Sequence, residues 1–164
     1  METFDLPRFI EEDSIIMPRF WNPETLFSLV STLDVGEASA NILSDPEKHV
    51  YATYQLVGTS EPMSYVHAAR IIGEELGRDV QLEHKPLEES VKIFTSVLTH
   101  DKPEEASFEL KQGVGKMFMY YNEKGLLGNS NVLGMLLGRT PLGYREWVKF
   151  RIEKVSEAKY EVRY

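Results

Sequence analysis

Residues 64–77 read SYVHAARIIGEELG, and residues 79–84, DVQLEH, change period at once. In the first stretch Val66, Ala69, Ile72 and Leu76 fall on one face of a helix, Ser64 stands where a cap belongs, and Gly77 supplies a stop. Asp79 to His84 has strand character and ends before Pro86. Helical spacing returns over Leu87 to Leu98 through Val91, Phe94 and Leu98. A helix, a strand and a helix joined by short connections point to an α/β fold.

Upstream, Ser28 to Leu33 (SLVSTL) is a short strand candidate. Asp34 with Glu37 three residues on has the spacing of a capping box. The following helix carries Val35, Ala38, Ser39, Ile42 and Leu43 on one side and should stop near Asp45-Pro46. A second strand is expected over Ala52 to Val57, ending at Gly58. Downstream, a longer helix spans about Glu104 to Asn122, with Leu110, Val114, Phe118 and Tyr121 at helical spacing. Gly113 and Gly115 each weaken it by about 1 kcal/mol relative to alanine, so a packing reason for them is expected. A short apolar helix, Val132 to Leu137, ends at Gly138, and Thr140-Pro141 opens another that carries Tyr144, Trp147, Val148 and Phe150. Residues 1–27, with Pro7, Pro18 and Pro23, read as an extended arm. The expectation is one α/β domain over residues 1–164, with about three short strands packed with about six helices.

Composition narrows the function. At 164 residues the chain is long enough to bury a core, and 42% apolar with 27% charged residues is ordinary for a globular protein. A net charge of −8 disfavours nucleic acid as a partner, because phosphates must be met by clustered Lys and Arg. The absence of cysteine excludes disulfides, thiolate catalysis and Cys-type zinc sites. No apolar run approaches membrane-spanning length and the first sixteen residues lack a signal-peptide centre, so a cytoplasmic protein is expected. The four histidines show no H-x-x-x-H or H-E-x-x-H spacing, and no metal is expected.

Four stretches follow one another as in a known family: Ser28 to Asp34 (SLVSTLD), Tyr54 to Gly58 (YQLVG), Ser64 to Gly77, and Tyr120 to Trp147 with its Asn122-Glu123-Lys124-Gly125-Leu126, Asn129 and Leu137-Gly138-Arg139-Thr140-Pro141. In this order the chain resembles the NmrA-like proteins, atypical relatives of the short-chain dehydrogenases, over about Met17 to Lys149. The match is to the C-terminal, substrate-binding half. The family's first half is a Rossmann unit that opens on a glycine-rich turn, whose backbone N–H groups approach a pyrophosphate. Here Gly113-Val114-Gly115 lacks the third glycine and follows a helix-like stretch. The resemblance therefore implies a truncated NmrA-like C-terminal subdomain over residues 28–164, with no nucleotide cofactor of its own. The face that packs on the Rossmann half in full-length relatives is then bare, and a homodimer is expected to cover it.

Candidate chemistry gathers in two places. By resemblance, the loop with Met17, Arg19, Phe20, Trp21 and Glu24 and the helix end with Met117, Tyr120, Tyr121 and Asn122 border the substrate crevice. Such an aromatic lining with a few polar groups suits a flat aromatic or polyketide-like ligand; the alternative, which these residue types favour, is that Phe20, Trp21 and Tyr121 simply fill the core. Tyr120 and Lys124 are spaced as Y-x-x-x-K, the dehydrogenase acid pair, but Gly125 ends the helix directly after the lysine. His100 next to Asp101 is a second candidate, as a base and its orienting partner.

Two functions compete at this level. One is a cofactor-independent isomerase, cyclase or dehydratase of an aromatic natural product, with Tyr120 or Tyr121 as acid, Glu24, His100 or Asp101 as base, and Arg19 steadying an enolate. The other is a non-catalytic binding or regulatory module, or the remnant of an NAD(P)-dependent reductase.

Overall fold

The computed structural model describes residue 1 and residues 5–100 and 102–161. In chain order it contains α1 (Leu6–Glu11), β1 (Ile15–Arg19), α2 (Thr32–Ser44), α3 (Tyr65–Leu76), β2 (Val80–His84), α4 (Leu87–Leu98), α5 (Phe108–Lys124), α6 (Asn131–Leu137) and α7 (Tyr144–Glu161). Single turns of 3-10 helix lie at Pro46–His49 and Pro103–Glu105. The fold is mixed α/β, with a parallel pair of strands among seven α-helices over the described residues.

The helices start and stop for reasons visible in the residues. Ser64 Oγ accepts from the His67 N–H at 3.2 Å, and Gly77, at φ 64°, closes α3 in the left-handed conformation. Ser107 caps α5 through the Leu110 N–H at 3.1 Å, and Gly138 closes α6 at φ 69°. Residues 1–27 are not simply an extended arm. Asp5 caps α1, Pro7 sits in its first turn, and β1 follows.

β1 pairs with β2 in parallel, Ile15 opposite Val80 and Arg19 opposite His84. The Arg19 carbonyl accepts from the Lys85 N–H at 2.9 Å, so residues 15, 17 and 19 turn their backbone groups to β2 while Ile16 and Pro18 turn theirs to the open side. On that side the Ile16 carbonyl accepts from Arg8 Nη2 at 3.0 Å and Pro18 has no N–H to offer. This is how an edge strand tolerates proline.

The two upstream strands expected from the sequence do not form. Ser31, not Asp34, caps α2: its Oγ takes the Asp34 N–H at 3.1 Å, and this local cap consumes the end of the segment read as a strand. Residues 28–30 and 52–59 are ladder-free, joined by Gly58 and Thr59 N–H groups that both donate to the Leu29 carbonyl at 2.8 and 2.9 Å. Asp34 is buried and accepts from Arg139 Nη2 at 2.8 Å and from the Leu142 N–H at 2.7 Å, tying α2 to the α6–α7 connection. Glu37 and Asp34 together hold the Arg139 guanidinium above its ordinary pKa.

The principal core joins Leu6, Phe9, Ile15, Met17, Ile71, Ile72, Trp147 and Val148, each contributing about 1.5–3 kcal/mol if fully withdrawn from water. α7 crosses α1 and α3, with Arg145 reaching Glu74 and Glu75 on α3. A smaller cluster of Ala38, Leu133 and Leu137 fastens α6 to α2. Of the two glycines expected to have packing reasons, Gly115 has an ordinary contact to Val91, whereas a side chain at Gly113 would meet nothing within 4 Å. Among the described residues no helix is long and apolar enough to cross a membrane.

Candidate functional site

After Arg19 the chain leaves the sheet and is fastened, residue by residue, to the C-terminal end of α5. Asn22 Oδ1 takes the Glu24 N–H at 3.0 Å, a side-chain turn, and the Thr25 N–H reaches the Asn22 carbonyl at 3.1 Å. The Asn22 N–H donates to Asn122 Oδ1 at 2.7 Å, and Thr25 Oγ1 donates to the Asn122 carbonyl at 3.1 Å. Gly125, at φ 67° and ψ −162°, ends α5 and lies against the Leu26 carbonyl, where a Cβ would collide. The Leu126 N–H then donates to the Leu26 carbonyl at 3.2 Å and the Ser28 N–H to the Leu126 carbonyl at 2.7 Å.

This clamp assembles an aromatic cluster centred on Trp21. Its ring centroid lies 4.6 Å from Phe27, 5.5 Å from Tyr65, 5.6 Å from Phe118, 6.2 Å from Phe20 and 6.3 Å from Tyr121. Phe94 joins through an edge-on contact to Phe118 at 5.5 Å. Such tilted and edge-on pairs are each worth about 0.5–1.5 kcal/mol beyond burial. Burial pushes the Tyr65 phenol well above its ordinary pKa. Trp21 Nε1, a donor only, is buried and has no hydrogen-bond partner among the described residues.

The residues singled out in the sequence divide accordingly. Phe20, Trp21, Tyr121 and Asn122 meet at the clamp, with Tyr120 stacked edge-on to Tyr121 at 5.9 Å and 59% exposed. Glu24 is exposed on the same loop, and Arg19 Nη1 donates to the Trp21 carbonyl at 3.2 Å. Met117 is half-buried one turn before Tyr121. Met17 is instead 1% exposed within the principal core, held there by its inward position on β1. His100, at φ 50°, is exposed beyond the end of α4, beside the start of α5. Tyr120 lies about 18 Å further along that helix at 1.5 Å per residue, so the structure does not bring His100 to the tyrosines. Asp101 lies outside the described residues. Lys124 is paired with Glu123 at 2.9 Å, which raises its pKa, and is not directed by any hydrogen bond to Tyr120.

Phe27 and Tyr65 belong to the cluster and were not evident as site residues. Their signal is tertiary: Phe27 bridges to both Met63 and Leu126, which sequence spacing does not reveal. Two clefts, of about 690 and 640 Å³, lie elsewhere, one between α4 and α5 beside Lys92, Thr95 and Lys111 and one along α3 and β2 beside Arg70 and Arg78. Among the described residues no group of three or more His, Asp or Glu gathers to hold a metal.

No protein-family model matches the chain, and no curated protein matches it by sequence. Solved structures do resemble it. An NADPH-dependent quinone oxidoreductase from Escherichia coli, complexed with NADPH, has a TM-score of 0.59 at 15% identity, over 90% of this chain and 48% of that one. A triphenylmethane reductase from Citrobacter gives 0.57 at 19% identity, over 83% and 44%. A nucleoside-diphosphate-sugar epimerase from Staphylococcus aureus gives 0.59 at 15% identity, over 87% and 46%. The fold is similar to that of reductases and a sugar epimerase. The chain spans about half the length of each.

Proposed function

We propose that the chain binds a planar aromatic small molecule at the Trp21 cluster and rearranges it by proton transfer, as an isomerase, cyclase or dehydratase without a nucleotide of its own. The observation that carries this reading is the clamp itself. Seven aromatic rings converge where the 20–28 loop is bolted to α5, and Phe20, Trp21 and Tyr121 are only half-buried there. Two of the similar structures, by their own descriptions, act on quinones and on triphenylmethane dyes, both aromatic or ring-conjugated molecules.

The chemistry falls to groups at that edge. Tyr120 or Tyr121 serves as the acid and Glu24 as the base, an arrangement that contributes about 10²–10⁴-fold per group when positioned. The guanidinium of Arg19, one nitrogen of which holds the Trp21 carbonyl, has further N–H donors for a developing enolate. His100, beyond the end of α4 and before α5 begins, stands too far from the tyrosines to share this work. The test is turnover of an aromatic substrate by the wild type and by a variant with Tyr120, Tyr121, Glu24 and Arg19 all replaced. Loss of turnover with binding retained is expected, and undiminished turnover ends the catalytic reading.

A second reading rests on the likeness to an NADPH-bound reductase over about half of its length. In it the same cluster holds the aromatic ligand without chemistry, as a binding or regulatory module or as part of a reductase. Calorimetric titration separates the two: ligand heat without product formation supports the module, and saturable NADPH binding supports the reductase.

A further inference from the structure

Trp21 is half-buried, while its indole N–H is buried and finds no hydrogen-bond partner among the described residues. Indole nitrogen can only donate, and buried donors in folded proteins are nearly always paired. The rings around it are not equally fixed. Phe27 and Phe118 are buried, whereas Phe20, Tyr65 and Tyr121 are half-buried, and the Tyr121 hydroxyl has no hydrogen-bond partner among the described residues. The backbone on either side is held by the Asn22–Asn122 hydrogen bond and by Gly125, so a shift of the Phe20 and Tyr121 side chains leaves the clamp in place.

Resting on the aromatic-ligand reading above, we infer that the ligand carries a carbonyl oxygen conjugated to its ring system and that this oxygen accepts the Trp21 Nε1 hydrogen, the ring entering where Phe20 and Tyr121 give way. An aromatic hydrocarbon would gain stacking but leave the indole N–H unpaired, and an aromatic amine would oppose one donor to another. A conjugated carbonyl keeps its oxygen in the ring plane, so the ligand ring can pack on a ring set edge-on to Trp21, such as Tyr65, while its oxygen meets the in-plane indole N–H. The structure thus assigns Trp21 a specificity role within the cluster.

The experiment compares 2-acetylnaphthalene with 2-isopropenylnaphthalene, which share a shape and differ in whether an oxygen or a methylene stands at the accepting position. Wild-type protein is expected to bind the ketone about tenfold more tightly, the worth of one hydrogen bond. The Trp21→Phe variant is expected to bind both equally, at the affinity the wild type has for the hydrocarbon. Nitrogen-15 NMR of the wild type gives a second readout that needs no variant to fold: the Trp21 indole N–H signal should move downfield with the ketone and not with the hydrocarbon, Trp147 serving as the internal reference. Equal wild-type affinity for the two probes, or a Trp21 signal unmoved at saturating ketone, overturns the inference and leaves aromatic binding standing. Binding of neither probe overturns the inference and the aromatic-ligand reading together.

Discussion

Asp34 is buried, and each of its carboxylate oxygens takes a donor from the connection between α6 and α7: Arg139 Nη2 at 2.8 Å and the Leu142 N–H at 2.7 Å. Hydrogen bonds to charged groups contribute roughly 1.5–3 kcal/mol each, and a partner left unpaired out of water adds to the loss. Asp34→Ala is therefore expected to lower the free energy of unfolding by about 3 kcal/mol in urea titration, and Asp34→Asn by less, since the amide keeps one acceptor. An unchanged urea midpoint for the alanine variant would show that the pairing does not contribute. The D-x-x-E spacing invited a capping role for this residue, and the same few residues hide the true cap, Ser31, whose hydroxyl takes the Asp34 N–H. Local sequence carries both signals with equal force. What separates them is Arg139, more than a hundred positions away, which no window of neighbouring residues contains.

Elements defined by their own ends were legible, and those defined by a distant partner were not. α3, α4 and α6 begin or end on Ser64, Pro86, Gly77 and Gly138; Ala69 and Ile72 of α3 and Leu133 and Leu137 of α6 reach the cores, whereas Val66 of the α3 stripe and Leu98 of the α4 stripe are exposed. β1 was concealed by Pro18, whose missing N–H is harmless only because it faces the open side of the sheet. The aromatic clamp was half legible: Phe20, Trp21, Tyr121 and Asn122 stood out, while Phe27 and Tyr65 join through contacts that only the fold creates. Two glycines at opposite parts of α5 should respond oppositely to alanine. Gly113→Ala fills open space on a helix and is expected to stabilise by about 1 kcal/mol in thermal or urea unfolding. Gly125→Ala places a side chain in a backbone region open essentially to glycine alone and against the Leu26 carbonyl, and is expected to cost about 2–3 kcal/mol and to weaken the near-ultraviolet dichroism of the ring cluster. Stabilisation by the second substitution would mean that the clamp is not held at this point.

Across the whole molecule, charge and apolar exposure set the conditions under which the fold persists. The hydrogen bond from Arg145 holds the Glu74 carboxyl below its ordinary pKa of 4.5. A depressed folded-state value contributes stability above the unfolded pKa and loses it as pH falls through the folded one, so the urea midpoint should drop below about pH 4.5 and drop less in Glu74→Gln. Lys85, raised by its hydrogen bonds to Glu83 and Glu89, acts with the opposite sign and loses its contribution only as pH climbs past the lysine range. Leu126, Leu127 and Met135 are 44%, 56% and 76% exposed, and we propose that a second copy covers them. Sedimentation equilibrium should return twice the chain mass, and Leu127→Lys should halve it; a monomeric wild type ends this proposal. The parallel register that sets Ile15 beside Val80 also dictates an order of events during synthesis. The strand that leaves the ribosome first waits for a mate that is translated several seconds later, at about 5–20 residues per second. Through that interval the nascent chain shows Ile15 and Met17 to solvent or to a chaperone, so the segment of β1 is a stretch through which crowding and translation speed bear directly on the yield of folded protein.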